Sequence, residues 1–353
     1  MAGHVLADGI VRIEGAVDVE RRSLNVEQGE GFVRPWRLPV DDLPLHHPDL
    51  VDKAAGPCGV RLCFCTAATR IAVDVEPVPA PDCDPALMVW YDLVVDGELY
   101  TTHAGGLERE SLEFEGLPDG TKDIELWLPH VPGVRIGAVH GLDGAIEPPG
   151  PDGRPRWIVY GSSITHGLEA TPSCTWPAVA ARLLGRHLTN LGYAGQCHLD
   201  PLVARMIAEL PADHITLKLG INIHNKASLR ERTFAPLVHG FLATLRDHRP
   251  DIPITVVSPI ISPERETTAY TRADRPDGVF EAEGDLTLQM IRDLLAEAVA
   301  LRRARGDRSL AYLDGRELLG KDDAARLPDG LHPDALGLRL MGERYAALAR
   351  DQK

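Results

Sequence analysis

No run of about 18 or more apolar residues occurs anywhere in the 353-residue chain, so no segment is long enough to span a bilayer as a helix. The opening MAGHVLADGI lacks the positively charged start and apolar stretch of a secretory leader. Basic residues are in deficit: 37 Lys and Arg against 52 Asp and Glu leave a formal net charge of −15. Such a field repels phosphate backbones and anionic membrane surfaces, so neither nucleic acid nor membrane is expected as a partner. Neutral or cationic small molecules fit better. The six cysteines, Cys58, Cys63, Cys65, Cys83, Cys174 and Cys197, include no CxxC pair of the kind that holds structural zinc. Cys63 and Cys65 lie in the strand-like VRLCFCTAA, where positions i and i+2 share a face and act as small buried apolar groups. No metal and no cofactor are expected, His46 and His47 read as a surface loop, and reduced thiols suit the cytoplasm.

What the chain does have is the makings of an ordinary folded protein, 44% hydrophobic and 25% charged, with neither repeats nor low-complexity tracts. Its length exceeds the roughly 250–300 residues at which single cores stop growing, so two domains are expected. Up to about residue 145, short alternating apolar runs are broken by Pro, Gly and Asp, as in GVRLCFCT, RIAVDVEPV, MVWYDLVVDGELY and KDIELWLP. This is the grammar of antiparallel β-structure, and Asp96-Gly97 is a hairpin signal because both turn positions favour positive φ. A β-sandwich or jelly roll is expected over residues 1–148. The Pro- and Gly-rich IEPPGPDGRPR, 146–156, reads as a connector.

Over residues 149–353 the pattern changes. Strand-like runs (RWIVYG, HLTNLG, HITLKLG, ITVVSP, LAYLDG) alternate with helical stripes, the signature of βαβ units and a parallel sheet. One stripe, Trp176 to Leu184, is expected to start at an N-cap Ser173 and stop near Gly185; a second follows Asp200-Pro201, with Asp200 as cap. Others run over Phe234–Leu245, Leu286–Val299 and Leu336–Leu348. The polar stretch 260–283 exceeds the usual length of a structureless loop and is a candidate lid.

Two short segments carry chemistry. In RWIVYGSSITHG an apolar strand ends in a small polar turn, the place where open α/β sheets hold ligands. In LPDGLHP, Asp329 precedes His332 by three residues, which brings a carboxylate within reach of an imidazole in one turn. Alone, the first reads equally well as an ordinary turn, and the second as a solvated surface pair. Together they have the form of an activated serine: a nucleophile on one strand-end loop and a base with its orienting acid on another.

The segments GSSITHG, NLGYAGQ, LKLGIN and DGLHP, in this order, resemble the four signature blocks of the SGNH, or GDSL-like, esterases. The resemblance implies a flavodoxin-like three-layer domain with Ser163 as nucleophile and Asp329 and His332 completing the triad. It further implies an oxyanion site formed by the amides of Ser163 and Gly195 and the side chain of Asn222. Ser162 stands where many members have Asp, and Ile223 replaces an Asp that often follows the asparagine. The β-rich first half resembles that of relatives with an N-terminal β domain, although their Gly-x-Asp-Leu-Tyr element is here Trp90-Tyr91-Asp92-Leu93-Val94. The Gly-x-Ser-x-Gly elbow of α/β-hydrolases is excluded, because Thr165 follows Ile164. His166 either lines the substrate pocket or makes a local structural hydrogen bond, and His198 falls near the expected site. The expected activity is hydrolysis of a small acyl ester, acetyl or short-chain, of a carbohydrate or specialised metabolite. The alternatives are acyl transfer by the same triad and a silent carbohydrate-binding protein, against which the intact set of residues argues.

Overall fold

A computed structural model describes residues 4–5, 9–23, 31–80, 83–275 and 278–351; most of the N-terminal decapeptide read for a leader lies outside them. The chain divides into two compact units: Met1–Arg154 with Thr171–Ser173, and Pro155–Ala170 with Cys174–Lys353. No described helix is long and apolar enough to cross a membrane.

The first unit consists of two antiparallel sheets. One runs in the order Asp18–Ser23, Gly31–Trp36, Gly133–Gly141, Arg70–Val78, Glu110–Glu115; the other runs Ile146–Glu147, Arg61–Thr66, Lys122–Trp127, Val89–Val95, Glu98–Gly105. Alternation explains the arrangement: Leu62, Phe64, Leu93 and Leu126 of one sheet share a single core with Val73, Val75, Leu112 and Ile136 of the other. Asp96 (φ 49°) and Gly97 (φ 85°) make the expected hairpin turn. The segment read as a connector begins as a strand, with Ile146 and Glu147 paired to Thr66 and Cys65. Asp92 is fully buried and accepts hydrogen bonds from Thr102 Oγ1 (2.6 Å), Ser173 N (2.8 Å) and Ser173 Oγ (2.7 Å).

All six cysteines are free thiols. Cys63 is buried as expected, but Cys65 is half-buried and donates to Asp123 Oδ1 at 2.8 Å. Burial and that carboxylate push its thiol up to about 11. His47 does more than line a loop: its Nδ1 accepts from Asp49 N (3.2 Å) and caps the helix Pro48–Ala55.

The second unit is built on five parallel strands, β1 (Arg156–Gly161), β2 (His187–Gly192), β3 (His214–Lys218), β4 (Ile254–Val257) and β5 (Leu310–Leu313). Their order, β2-β1-β3-β4-β5, is that of flavodoxin-like sheets, whose ligand crevice lies at the carboxyl ends beside the first strand. The helices are α1 (Ser163–His166), α2 (Trp176–Leu184), α3 (Pro201–Glu209), α4 (Ile221–Lys226), α5 (Glu231–His248), α6 (Leu288–Ala304) and α7 (Ala335–Asp351). α2 packs with α7, while α3 and α6 both pack with α5. Successive side chains of β1 serve both faces. Trp157 stacks on Tyr345 of α7 with ring centroids 5.1 Å apart, and Tyr160 stacks on Phe241 of α5 at 5.5 Å. β1 is thereby held from both sides.

One local expectation is corrected and two gain detail. The N-cap of α2 is Thr175, whose Oγ1 accepts from Ala178 N, because Ser173 is engaged by Asp92. Asp200 occupies the N-cap position of α3 without a side-chain capping bond. The stretch 260–283 is not structureless: it holds a 3₁₀ turn, Pro263–Arg265, and a β-hairpin, Tyr270–Arg275 with Gly278–Glu283, whose residues 276–277 lie outside the described residues.

Candidate active site

β1 delivers Ser163 to the carboxyl edge of the sheet. Gly161 ends the strand, where a Cβ would collide with Thr165, and α1 begins directly at Ser163. The other serine of the pair faces inward: Ser162 is fully buried, and among the described residues its Oγ has no hydrogen-bond partner. Ser163 Oγ lies 2.9 Å from His332 Nε2. His332 Nδ1 lies 2.7 Å from Asp329 Oδ2, and Asp329 Oδ1 accepts from the backbone N–H of Leu331 (2.9 Å) and His332 (2.7 Å). One carboxylate therefore fixes both the ring and the turn that carries it. Gly330 adopts the left-handed conformation this turn needs (φ 73°).

Burial pushes the Asp329 carboxyl up, but the bonds from His332 N, His332 Nδ1 and Leu331 N outweigh it and hold the carboxyl below its ordinary value. The group is therefore ionised at neutral pH. With a side chain 55% exposed, it acts through these aligned hydrogen bonds more than through unscreened charge.

The loops after β2 and β3 supply donors. Gly195 has φ 71° with open space where a Cβ would stand, so its glycine is required by backbone conformation and not by crowding. Its carbonyl accepts from His198 Nε2 (3.0 Å), and His198 Nδ1 lies 2.8 Å from Ser228 Oγ, which pins the loop. Asn222, nearly buried on α4, accepts from Cys197 N at Oδ1 (3.0 Å), an arrangement that orients its amide and turns Nδ2 away from that loop. Among the described residues, the N–H groups of Ser163 and Gly195 and the Nδ2 of Asn222 have no acceptor. The neighbouring thiol is inert, since burial pushes Cys197 up to about 12.

The motif residues Ser163, Asp329 and His332 are thus brought into one hydrogen-bonded series, and Gly195 and Asn222 are joined through the Cys197 loop. His166 is fully buried on α1. Three further groups lie near this geometry without a motif of their own in the sequence. His198, placed near the site by its position alone, holds the Gly195 loop. Ser262 donates Oγ–H to Gly330 O (2.7 Å). Glu169, at the surface, has its carboxyl raised by partial burial while His332 pulls it the other way.

The profile of the GDSL-like lipase/acylhydrolase family matches residues 155–350. The chain belongs to this family. The profile of the SsfX3 N-terminal domain matches residues 18–135. Among solved structures, the salicylyl-acyltransferase SsfX3 from a tetracycline biosynthetic pathway is 32% identical, with 99% of this chain and 97% of that chain covered and a TM-score of 0.84. A Bacteroides ovatus protein named for its likeness to GDSL lipases is 21% identical over 96% of this chain and 95% of that one (TM-score 0.74). A family-two carbohydrate esterase from Clostridium thermocellum is 17% identical over 84% and 95% (TM-score 0.64). The last two share the fold. No curated protein matches the chain. As a member of the GDSL-like family with neighbours of these kinds, the protein is an ester-acting enzyme.

Proposed function

We propose that this GDSL-like protein cleaves a small acyl ester through an acyl-enzyme on Ser163. The observation that carries the proposal is the unbroken series Ser163 Oγ, His332, Asp329, with separations of 2.9 and 2.7 Å. His332 Nε2 takes the Ser163 proton as Oγ attacks the ester carbonyl, then returns a proton to the leaving alcohol. Asp329, ionised and bonded to Nδ1, holds the imidazole in the tautomer that leaves Nε2 free to accept. The tetrahedral oxyanion is held by the amides of Ser163 and Gly195 and by Asn222 Nδ2, donors aimed at charge present only in the transition state. In the second half-reaction the acyl group passes to water, giving an acetyl or short-chain esterase of a carbohydrate or specialised metabolite.

A second reading, transfer of the acyl group to an alcohol of another small molecule, is favoured by the 32% identity over the full chain with a salicylyl-acyltransferase. The two readings share every step up to the acyl-enzyme and divide at the acceptor. Product analysis with a short p-nitrophenyl ester separates them: hydrolysis gives free acid at a rate independent of added alcohols. Transfer gives an acylated acceptor, with faster turnover as the acceptor is raised. A wild-type enzyme that turns over no short acyl ester and accepts no acyl group from an activated ester contradicts both.

A further inference from the structure

The loop between β4 and the hairpin contains a buried guanidinium that the proposed chemistry does not use. Arg265 is 9% exposed, and among the described residues it has no carboxylate partner. A buried cation without a counter-ion is costly and is expected to persist only where its donors serve something specific. Its Nε donates to Asn225 Oδ1 (3.1 Å), and its Nη1 lies 3.2 Å from Ser262 Oγ. The direction of the series is fixed by chemistry. Ser262 has one hydroxyl proton, which goes to Gly330 O at 2.7 Å, so the same oxygen accepts from Arg265.

The two ends of this series are the two halves of the site. Gly330 lies between Asp329 and His332. Asn225 is three residues beyond Asn222 on α4, one helical turn from the oxyanion amide. The same helix is tied to this segment a second time, by His224 Nε2 donating to Thr268 O (2.8 Å), while His224 Nδ1 lies 3.1 Å from Asn225 Oδ1 and 3.2 Å from Thr271 Oγ1 of the hairpin. The loop itself is rigidly held. Glu266 Oε1 accepts from Ser262 N (3.1 Å), and Arg292 clamps Glu266 at 2.6 and 2.8 Å while also donating to Pro259 O (3.0 Å) and Ile260 O (2.9 Å).

We propose that Arg265 is a positioning residue which, through Ser262 and Asn225, sets the spacing between the Asp329–His332 turn and the oxyanion helix. The proposal rests on the acyl-enzyme reading above. A base and an oxyanion donor on separate loops must both meet one reacting carbonyl, and a misplacement of about 1 Å costs on the order of 10²-fold in rate. Removing the link should therefore act on turnover more than on substrate affinity.

The test compares Arg265→Ala, Arg265→Lys, Ser262→Ala and Ser262→Thr in the full chain, each checked for folding by near-UV circular dichroism. Arg265→Ala and Ser262→Ala should lower kcat by about 10- to 100-fold with KM changed by less than about 3-fold. Ser262→Thr, which keeps the hydroxyl, should restore most of the rate, and Arg265→Lys, which cannot reach both partners, should not. The double alanine variant should be no slower than the slower single. The low-field Nδ1 proton of His332, followed by NMR without substrate, should broaden or vanish in Arg265→Ala. A folded Arg265→Ala with wild-type kcat and an unchanged His332 resonance overturns the proposal, as do single effects that multiply in the double variant. If the wild type proves unable to form an acyl-enzyme while its His332 resonance still responds to Arg265→Ala, the acyl-enzyme reading falls and the coupling stands.

Discussion

At the residue scale, the site depends on which of two adjacent serines meets the base and on how one amide is turned. Ser163 is hydrogen-bonded to His332, whereas Ser162 is sealed into the core beside it. Asn222 has its oxygen occupied by Cys197 N, which leaves its NH₂ free for the oxyanion role proposed above. Asn222→Ala should lower kcat by about 10²–10³, the usual effect of one lost oxyanion donor, with KM little changed; an effect confined to KM in steady-state kinetics would assign the asparagine to ground-state binding instead. The residues of the series were legible in the sequence because their signals are local: Ser163 ends a strand run, and Asp329 and His332 share one turn. Ser262 and Arg265 were not, because their partners Gly330 and Asn225 lie 68 and 40 residues away and nothing in a linear pattern joins them.

At the scale of elements, the parallel sheet was readable because its strands are continuous apolar runs buried on both faces, as in the all-buried Ile254–Val257. The hairpin after it was not, because its strands mix charged and exposed residues without a buried face: Arg272 faces Glu281 across the ribbon, and Thr271 is the one buried residue among those hairpin residues whose burial is described. The only legible sign was a stretch too long for a structureless loop. Thr175 displaced Ser173 as the cap of α2 for a similar reason, since the carboxylate that claims Ser173, Asp92, is 81 residues distant. Gly220 shows how an element positions a functional residue. It precedes α4 with φ 114°, and a Cβ there would run into Ile291 Cγ2. Gly220→Ala should destabilise the fold by about 1–3 kcal/mol, read from the urea midpoint, and should lower kcat as well because Asn222 rides on the same helix. An unchanged midpoint would mean that the backbone there relaxes without strain.

At the scale of the whole molecule, a net charge of −15 sets one pH dependence and His214 another. Burial, with Arg186 adding to it, pulls the His214 imidazole from 6.5 down to about 3. The folded protein therefore resists a proton that the unfolded chain accepts. Stability from this group is complete above about pH 6.5 and is lost as pH falls toward 3, by at most about 1.4 kcal/mol per pH unit. Relief of acidic self-repulsion works in the opposite direction only down to the isoelectric point near pH 5.4, below which positive charge builds up, so the informative quantity is a difference between variants. His214→Gln should show a flatter fall in urea midpoint between pH 7 and 4 than the wild type, and parallel curves would remove His214 from the account. The proposed chemistry as a whole depends on one covalent event. Treated with a fluorophosphonate and analysed by intact mass and peptide mapping, the wild-type protein should gain a single adduct on Ser163, and Ser163→Ala should gain none. An adduct on Ser162, or labelling that survives Ser163→Ala, would contradict it.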